Sequence, residues 1–246
     1  MATATPIDML NRLSAEEISA RLSGPREGVA AFLCEAAEAG SAEAQARYAQ
    51  MLLDGDGVAR NATAAYVWFY RAARVGHLEA ANMVGRCHDL GWGVPVDKTA
   101  AAAWYKRAAE RGLVFAIYNY ATLLALGDGV EQDREQALAL FRQAAAAGYA
   151  KAINFVGSFH EDGWAVERDL DEAARCYQAA AEGGDFRGQF NHARMLILAG
   201  NLDAALPWLR RAWDGGNDRF RAQLRDWGAN QVASVAAALD SAIDSH

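Results

Sequence analysis

Residues 42–53 carry apolar side chains at separations of three and four, the spacing of one helix face. Gly55-Asp56-Gly57-Val58 ends that run, because glycine accepts backbone angles that other residues resist. A second amphipathic run starts after Asn61, a residue suited to capping a helix N-terminus, and ends at Ala72, Ala73 and Gly76. The same pattern then returns. Gly40, Gly76, Gly112, Gly148 and Gly184 recur every 36 residues, and Gly55, Gly91, Gly127 and Gly163 keep the period. So do Val58, Val94, Val130 and Val166, and the cap residues Asn61, Asp97, Asp133 and Asp169. A fifth unit lacks four residues in its middle, with Ala199-Gly200-Asn201 as its loop, Asn201 as its cap and Gly216 as its close.

Each period therefore reads as helix A, a glycine loop, helix B and a tight turn. Trp68, Trp104, Leu140, Cys176 and Trp208 share one helix B position, and paired alanines follow at 72/73, 108/109, 144/145 and 180/181. The glycine after each pair occupies the C′ place. Asp169 with Glu172, like Ser14 with Glu17, has the spacing of a capping box. Such a hairpin cannot bury its apolar face alone, so neighbours must stack as a solenoid. The expected organisation is N-terminal capping helices and a partial repeat over 1–40, then five repeats at 41–76, 77–112, 113–148, 149–184 and 185–216. C-terminal capping helices fill 217–246, the last from Gln231 to Ile243 after Asn230 as its cap. Val232, Val235, Ala236, Leu239 and Ile243 are its apolar stripe, which covers the final repeat or joins a dimer; a monomer is favoured.

Composition agrees with close helix packing: 56 alanines supply helix propensity and little volume, while seven tryptophans, eight tyrosines and nine phenylalanines supply the bulk. A net charge of −7 lacks the electrostatic footprint of a nucleic-acid binder. Residues 1–13 have neither the basic nor the apolar region of a signal peptide, and the longest uncharged stretch, 112–127, is short and polar for a membrane span. The expectation is a cytoplasmic protein without membrane insertion. Cys34, Cys87 and Cys176 form no disulfide framework, and the last two occupy core columns.

The helix A alanines, the Gly-x-Gly-Val loop, the cap aspartate and Ala-x-x-Trp-Tyr-x-x-Ala-Ala with its closing glycine resemble Sel1-like repeat proteins, relatives of the tetratricopeptide superfamily. Asp97, Ala101, Trp104, Tyr105, Ala108, Ala109 and Gly112 carry the pattern most fully. The resemblance spans residues 28–216 and implies an all-α, right-handed α/α superhelical solenoid that recruits other macromolecules, often in bacterial signalling or secretion. Some secreted relatives carry paired disulfides and are linked to β-lactam binding. The chain lacks those cysteine pairs, so a hydrolase of that kind is the remotest reading.

Helix A columns equivalent to positions 46, 47 and 50 vary in a way that suits partner recognition. They contain Asn82, Tyr118, Asn154 and Phe190; Asn119, Phe155 and Asn191; and Arg86, Thr122, Ser158 and Arg194. Asparagine amides match both groups of a peptide bond, and aromatic and arginine side chains anchor interfaces. These residues either line a concave groove for a protein or peptide or pack between neighbouring A helices. A scaffold or adaptor is the leading reading, and a dedicated regulatory or immunity-type protein with one cognate partner is the alternative.

No phosphate loop, nucleophile elbow or metal-binding helix motif is present, and the Gly-x-Gly loops recur in every repeat, which assigns them to turning. No catalytic residue, cofactor or metal is expected. His88 and His160 stand two repeats apart, roughly 20 Å on helix spacing, too far to share a metal. Trp92 and Trp164 sit in loops that need no tryptophan and are either packed or exposed contacts. Repeats two and four match in Asn82/Asn154, Gly85/Gly157, His88/His160 and Trp92/Trp164, a 72-residue superperiod that records duplication or an alternating surface.

Overall fold

Thirty-six-residue periodicity becomes a run of antiparallel helical hairpins. The structure is a computed structural model and describes residues 14–233, 235–237 and 239. Expectations on residues 1–13 and on Ile243 lie outside the described residues. The chain divides into two units, 1–132 and 133–246. Among the described residues every regular element is helical.

Unit 1 holds α1 (Ala15–Leu22), α2 (Arg26–Glu38), α3 (Ala42–Asp54), α4 (Ala62–Arg74), α5 (Leu78–Leu90), α6 (Lys98–Ala109) and α7 (Val114–Leu126). Each helix packs on the next in sequence. Ala44, Ala49 and Leu52 of α3 are buried, as are Ala65, Phe69, Ala72 and Ala73 of α4. Tyr48 stays half-buried and meets the edge of Trp68 with ring centres 6.0 Å apart. Small residues on both helices let large rings occupy the fixed sites between them.

Unit 2 holds α8 (Arg134–Ala146), α9 (Ala150–Asp162), α10 (Leu170–Glu182), α11 (Phe186–Leu198), α12 (Leu202–Gly215) and α13 (Asp218–Ala229). Its C-terminal core gathers Leu209, Phe220, Leu224 and Leu239 with Phe186, Phe190, Trp213 and Trp227 at its edges. Val235 and Leu239 are buried, whereas Val232 is 69% exposed and does not belong to that stripe. Asn230 is also a correction: it closes α13 as its C-cap, its Nδ2 donating to the Asp226 carbonyl.

The caps explain why helix B starts where it does. Asn61, Asp97, Asp133 and Asp169 each accept a hydrogen bond from the backbone N–H three residues on, at 2.8–3.0 Å. Asn201 occupies the equivalent position without that side-chain bond. Its shortened loop leaves it at φ −100° and ψ 60°, away from the extended backbone of the other four. The reciprocal capping box forms at Ser14 and Glu17 and not at Asp169. The Asp169 N–H instead bonds the His160 carbonyl at 2.9 Å, and the Glu172 carboxylate turns to Arg175. The same tie from cap to helix A joins Asn61 to Leu52 and Asp97 to His88.

Ala165 replaces the second loop glycine in the fourth repeat. It is the only described non-glycine residue with positive φ, at 58°. Left-handed backbone costs a β-carbon residue roughly 1–2 kcal/mol, partly offset by the greater unfolded freedom of glycine. Ala165→Gly is therefore expected to raise stability by about 0.5–1 kcal/mol in urea denaturation; a loss of stability contradicts this reading.

Candidate protein-binding face

In unit 1 the helix A columns bring Asn82, Arg86, Tyr118, Asn119 and Thr122 onto two consecutive A helices, α5 and α7. Asn82 is buried, and its Oδ1 accepts from Asn119 Nδ2 at 2.9 Å. Thr122 Oγ1 donates to the Tyr118 carbonyl within its own helix. The Arg86 guanidinium lies over the Trp92 ring, 4.6 Å from its centre. That contact leaves Trp92 half-buried.

Unit 2 repeats the amide pair with α9 and α11. Asn154 is buried and accepts from Asn191 Nδ2, again at 2.9 Å. The other expected residues there are more deeply engaged in packing. Phe155 stacks on Phe141 at 4.8 Å, and Phe190 meets the edges of Phe220 and Trp227 at 5.9 and 5.0 Å. Ser158 Oγ lies 3.3 Å from both the Asn154 carbonyl and the Tyr177 hydroxyl. Arg194 forms two hydrogen bonds to Glu161, at 2.7 and 2.6 Å.

The acidic residue of repeats two and four organises a module that single-column reading misses. Gly157 lets the Tyr177 ring lie directly against α9, since a β-carbon there would stand 2.8 Å from the ring. The Tyr177 hydroxyl then donates to Glu161 at 2.6 Å. Gly85, Tyr105 and Asp89 make the same arrangement, with the hydroxyl donating at 3.2 Å. The neutralising cation differs: Arg194 serves Glu161, while Lys98 serves Asp89 and also reaches Asp128. The Arg194 hydrogen bonds hold the Glu161 carboxyl below its ordinary range, and burial followed by the nearby carboxylate raises both tyrosine hydroxyls. In the first repeat the corresponding residues are Ala49, Phe69 and Leu53. The superperiod thus alternates Gly–Tyr–acid with Ala–Phe–apolar packing.

Two depressions lie in unit 1, the first among α1, α2 and α3 and the second chiefly on the A helices α3 and α5. One, of about 280 Å³, is lined by Leu22, Val29, Leu33 and Met51 with Arg26, Arg47, Gln50, Asp54 and Asp56. The other, of about 380 Å³, shares Arg47 and Gln50 and adds Glu43, Ala46, His77, Glu79 and Met83 among its walls. Ala46, Arg47, Gln50 and Met83 belong to the three variable columns.

Of the other singled-out residues, His88 and Trp164 have packing partners, while His160 Nδ1 is buried without a hydrogen-bond partner among the described residues. His88 Nε2 lies 3.4 Å from the Tyr66 hydroxyl, and Trp164 is held between the Phe159 edge and the Arg134 guanidinium. Cys87 is buried and its thiol is pushed up to about 11 by burial. Cys176 is only half-buried, a correction to its core placement, with Sγ 3.7 Å from Glu172. No group of three or more metal-ligating side chains gathers among the described residues. None of the described helices is long and apolar enough to cross a membrane.

The Sel1 repeat profile matches residues 42–77, 78–113, 114–149 and 150–185, more than half of the chain. The chain belongs to the Sel1 repeat family. Its fold is that of a Sel1 repeat protein from Oxalobacter formigenes, with a TM-score of 0.77 at 24% identity, covering 94% of this chain and 99% of that one. It is also similar to c5321, a protective antigen of uropathogenic Escherichia coli with the same fold, at TM-score 0.67 and 22% identity. That match covers 88% of this chain and 49% of the antigen, so the chain spans about half its length. Immunity protein Pa5087 from Pseudomonas aeruginosa is similar at TM-score 0.58 and 17% identity over 81% of this chain and 75% of that one. No curated protein matches the chain. Sel1 repeat proteins generally mediate protein–protein interaction, and the repeat is typically a non-catalytic scaffold.

Proposed function

We propose that this Sel1 repeat chain is a non-catalytic scaffold that holds a partner protein or peptide on its helix A face. The repeated amide pair carries the reading. Asn82 with Asn119, and Asn154 with Asn191, each use one donor and one acceptor between themselves. Asn82 and Asn154 Nδ2 and Asn119 and Asn191 Oδ1 have no other partner among the described residues. A donor and an acceptor side by side match the carbonyl and N–H of an extended peptide. The depression lined by Ala46, Arg47, Gln50 and Met83 of the same columns supports this reading in unit 1, since it offers room for side chains. Tyr118 and Thr122 complete the proposed surface of unit 1, and Phe155, Ser158 and Phe190 that of unit 2.

Arg86 is the better probe of the two arginines, because Arg194 is tied to Glu161 and its reversal disturbs the fold. Arg86→Glu is expected to lower partner capture at least about tenfold while leaving the thermal midpoint within a few degrees. Full capture by this folded variant counts against the helix A face. The likeness to an immunity protein favours a second reading, a regulator dedicated to one cognate partner. The composition of the captured material separates the two, since a scaffold retains several proteins and a dedicated regulator one.

A further inference from the structure

Helix B of unit 1 presents a surface of a different character. Arg71 and Arg74 occupy the last turn of α4, Lys106 and Arg107 the last turn of α6, and Arg111 follows one residue beyond the exposed C-cap Glu110, the acidic residue within this stretch. All five cations are exposed. They share one patch: Tyr70 of α4 meets the Trp104 edge of α6 at 5.8 Å, and Arg111 Nη1 donates to the Gly76 carbonyl at 2.9 Å. Arg71 lies over Trp68 and Arg107 over Trp104, 4.6 and 5.4 Å from the ring centres.

None of these five cations ion-pairs with a carboxylate among the described residues. On helix B of unit 2, Arg175 and Arg210 pair with Glu172 and Asp214, whereas Arg142 and Arg211 do not, and these two stand singly rather than in a cluster of five. Complementing the helix dipole does not account for the cluster, because α8, α10 and α12 end without a basic residue in their last turns. Val67 and Tyr70 remain 41% and 37% exposed between the charges.

We propose that this α4–α6 surface docks an acidic, Asp/Glu-rich segment of a protein partner, with apolar side chains of that segment set against Val67, Tyr70 and Trp104. Unpaired guanidinium groups bind carboxylates in a forked geometry, and guanidiniums already stacked on tryptophan lose less freedom on doing so. A short acidic segment suits a patch of five cations. A nucleic-acid polyanion extends beyond the patch and meets the repulsion of the chain's negative balance.

The test uses the full chain and a fluorescein-labelled 12-residue peptide of alternating Glu, Asp and Leu, read by fluorescence anisotropy. Saturable binding that weakens with added salt is expected, with no binding of the peptide in which Gln and Asn replace the acids. R71Q/R74Q/R107Q is expected to weaken binding at least about tenfold, whereas R142Q/R175Q, on helix B of unit 2, leaves it unchanged. Circular dichroism of both variants confirms that the comparison is between folded chains. Three results overturn the proposal: no saturable binding by the parent chain, equal losses in the two variants, or tighter binding of labelled oligo-dT or phosphatidylserine vesicles than of the acidic peptide. The test is independent of the helix A face, since Arg86 is unaltered.

Discussion

Gly93→Ala is expected to destabilise the protein by at least about 3 kcal/mol, combining left-handed backbone in a β-carbon residue with overpacking against a fixed neighbour. Gly93 sits at φ +74°, and an added β-carbon would stand 2.2 Å from the Ala62 carbonyl oxygen at the start of α4. That obstacle is helix backbone, which cannot rotate away as a side chain can. Gly112 is the internal control. It has φ +85° but nothing within 4 Å of an added β-carbon, so Gly112→Ala is expected to cost only about 0.5–1 kcal/mol, the dihedral contribution less the unfolded freedom lost with glycine. Urea denaturation followed by circular dichroism measures both. Similar costs for the two variants contradict the close approach of the Gly93 backbone to the start of α4.

The second large effect is expected at Tyr177, which is 1% exposed. Tyr177→Ala leaves a ring-sized cavity against Gly157 and is expected to cost about 3–5 kcal/mol. Tyr177→Phe keeps the ring and loses only the hydroxyl bonds to Glu161 and Ser158, about 1–2 kcal/mol. The smaller deficit depends on pH. Glu161 is held below its ordinary range chiefly by the Arg194 hydrogen bonds. A depressed folded value means that the carboxylate contributes stability fully above its unfolded value, about 4.3, and loses it as pH falls through the folded value. The deficit of Tyr177→Phe should therefore be complete at neutral pH and shrink below about pH 4. A deficit that is constant with pH separates the hydroxyl from the carboxylate and contradicts the network.

Periodicity made most of this fold legible because each column answers to a local requirement. Gly76 and Gly112 mark turns that need positive φ, and Asp97 and Asp133 mark helix starts that need a side-chain acceptor. The misreadings arose where a neighbour changed that requirement. Asn201 lies in a loop shortened by four residues and adopts different backbone angles, while the Asp169 N–H was already taken by His160. Val232 continues a helical spacing without entering the buried stripe.

The site was less legible because its contacts run diagonally across columns. Asn82 and Asn119 belong to different columns and lie 37 residues apart, so reading each column alone separates the two halves of one hydrogen bond. Gly157 was visible as a member of the 72-residue match, and Glu161 and Tyr177 stand the same 72 residues from Asp89 and Tyr105. Their association required the crossing of α9 with α10, which brings the tyrosine ring over a missing β-carbon. The covariation of Gly with Tyr and of Ala with Phe between repeats was the available signal.

Site-specific photocrosslinking in the native cell most directly tests the proposed helix A interface. A benzophenone amino acid replaces Arg86, Thr122 or Ser158 in separate chains, and Arg142 or Gln178 on helix B of unit 2 in the controls. The account predicts the same partner band from Arg86, Thr122 and Ser158 positions and none from the two controls. A partner band from the Arg142 and Gln178 positions alone would contradict it.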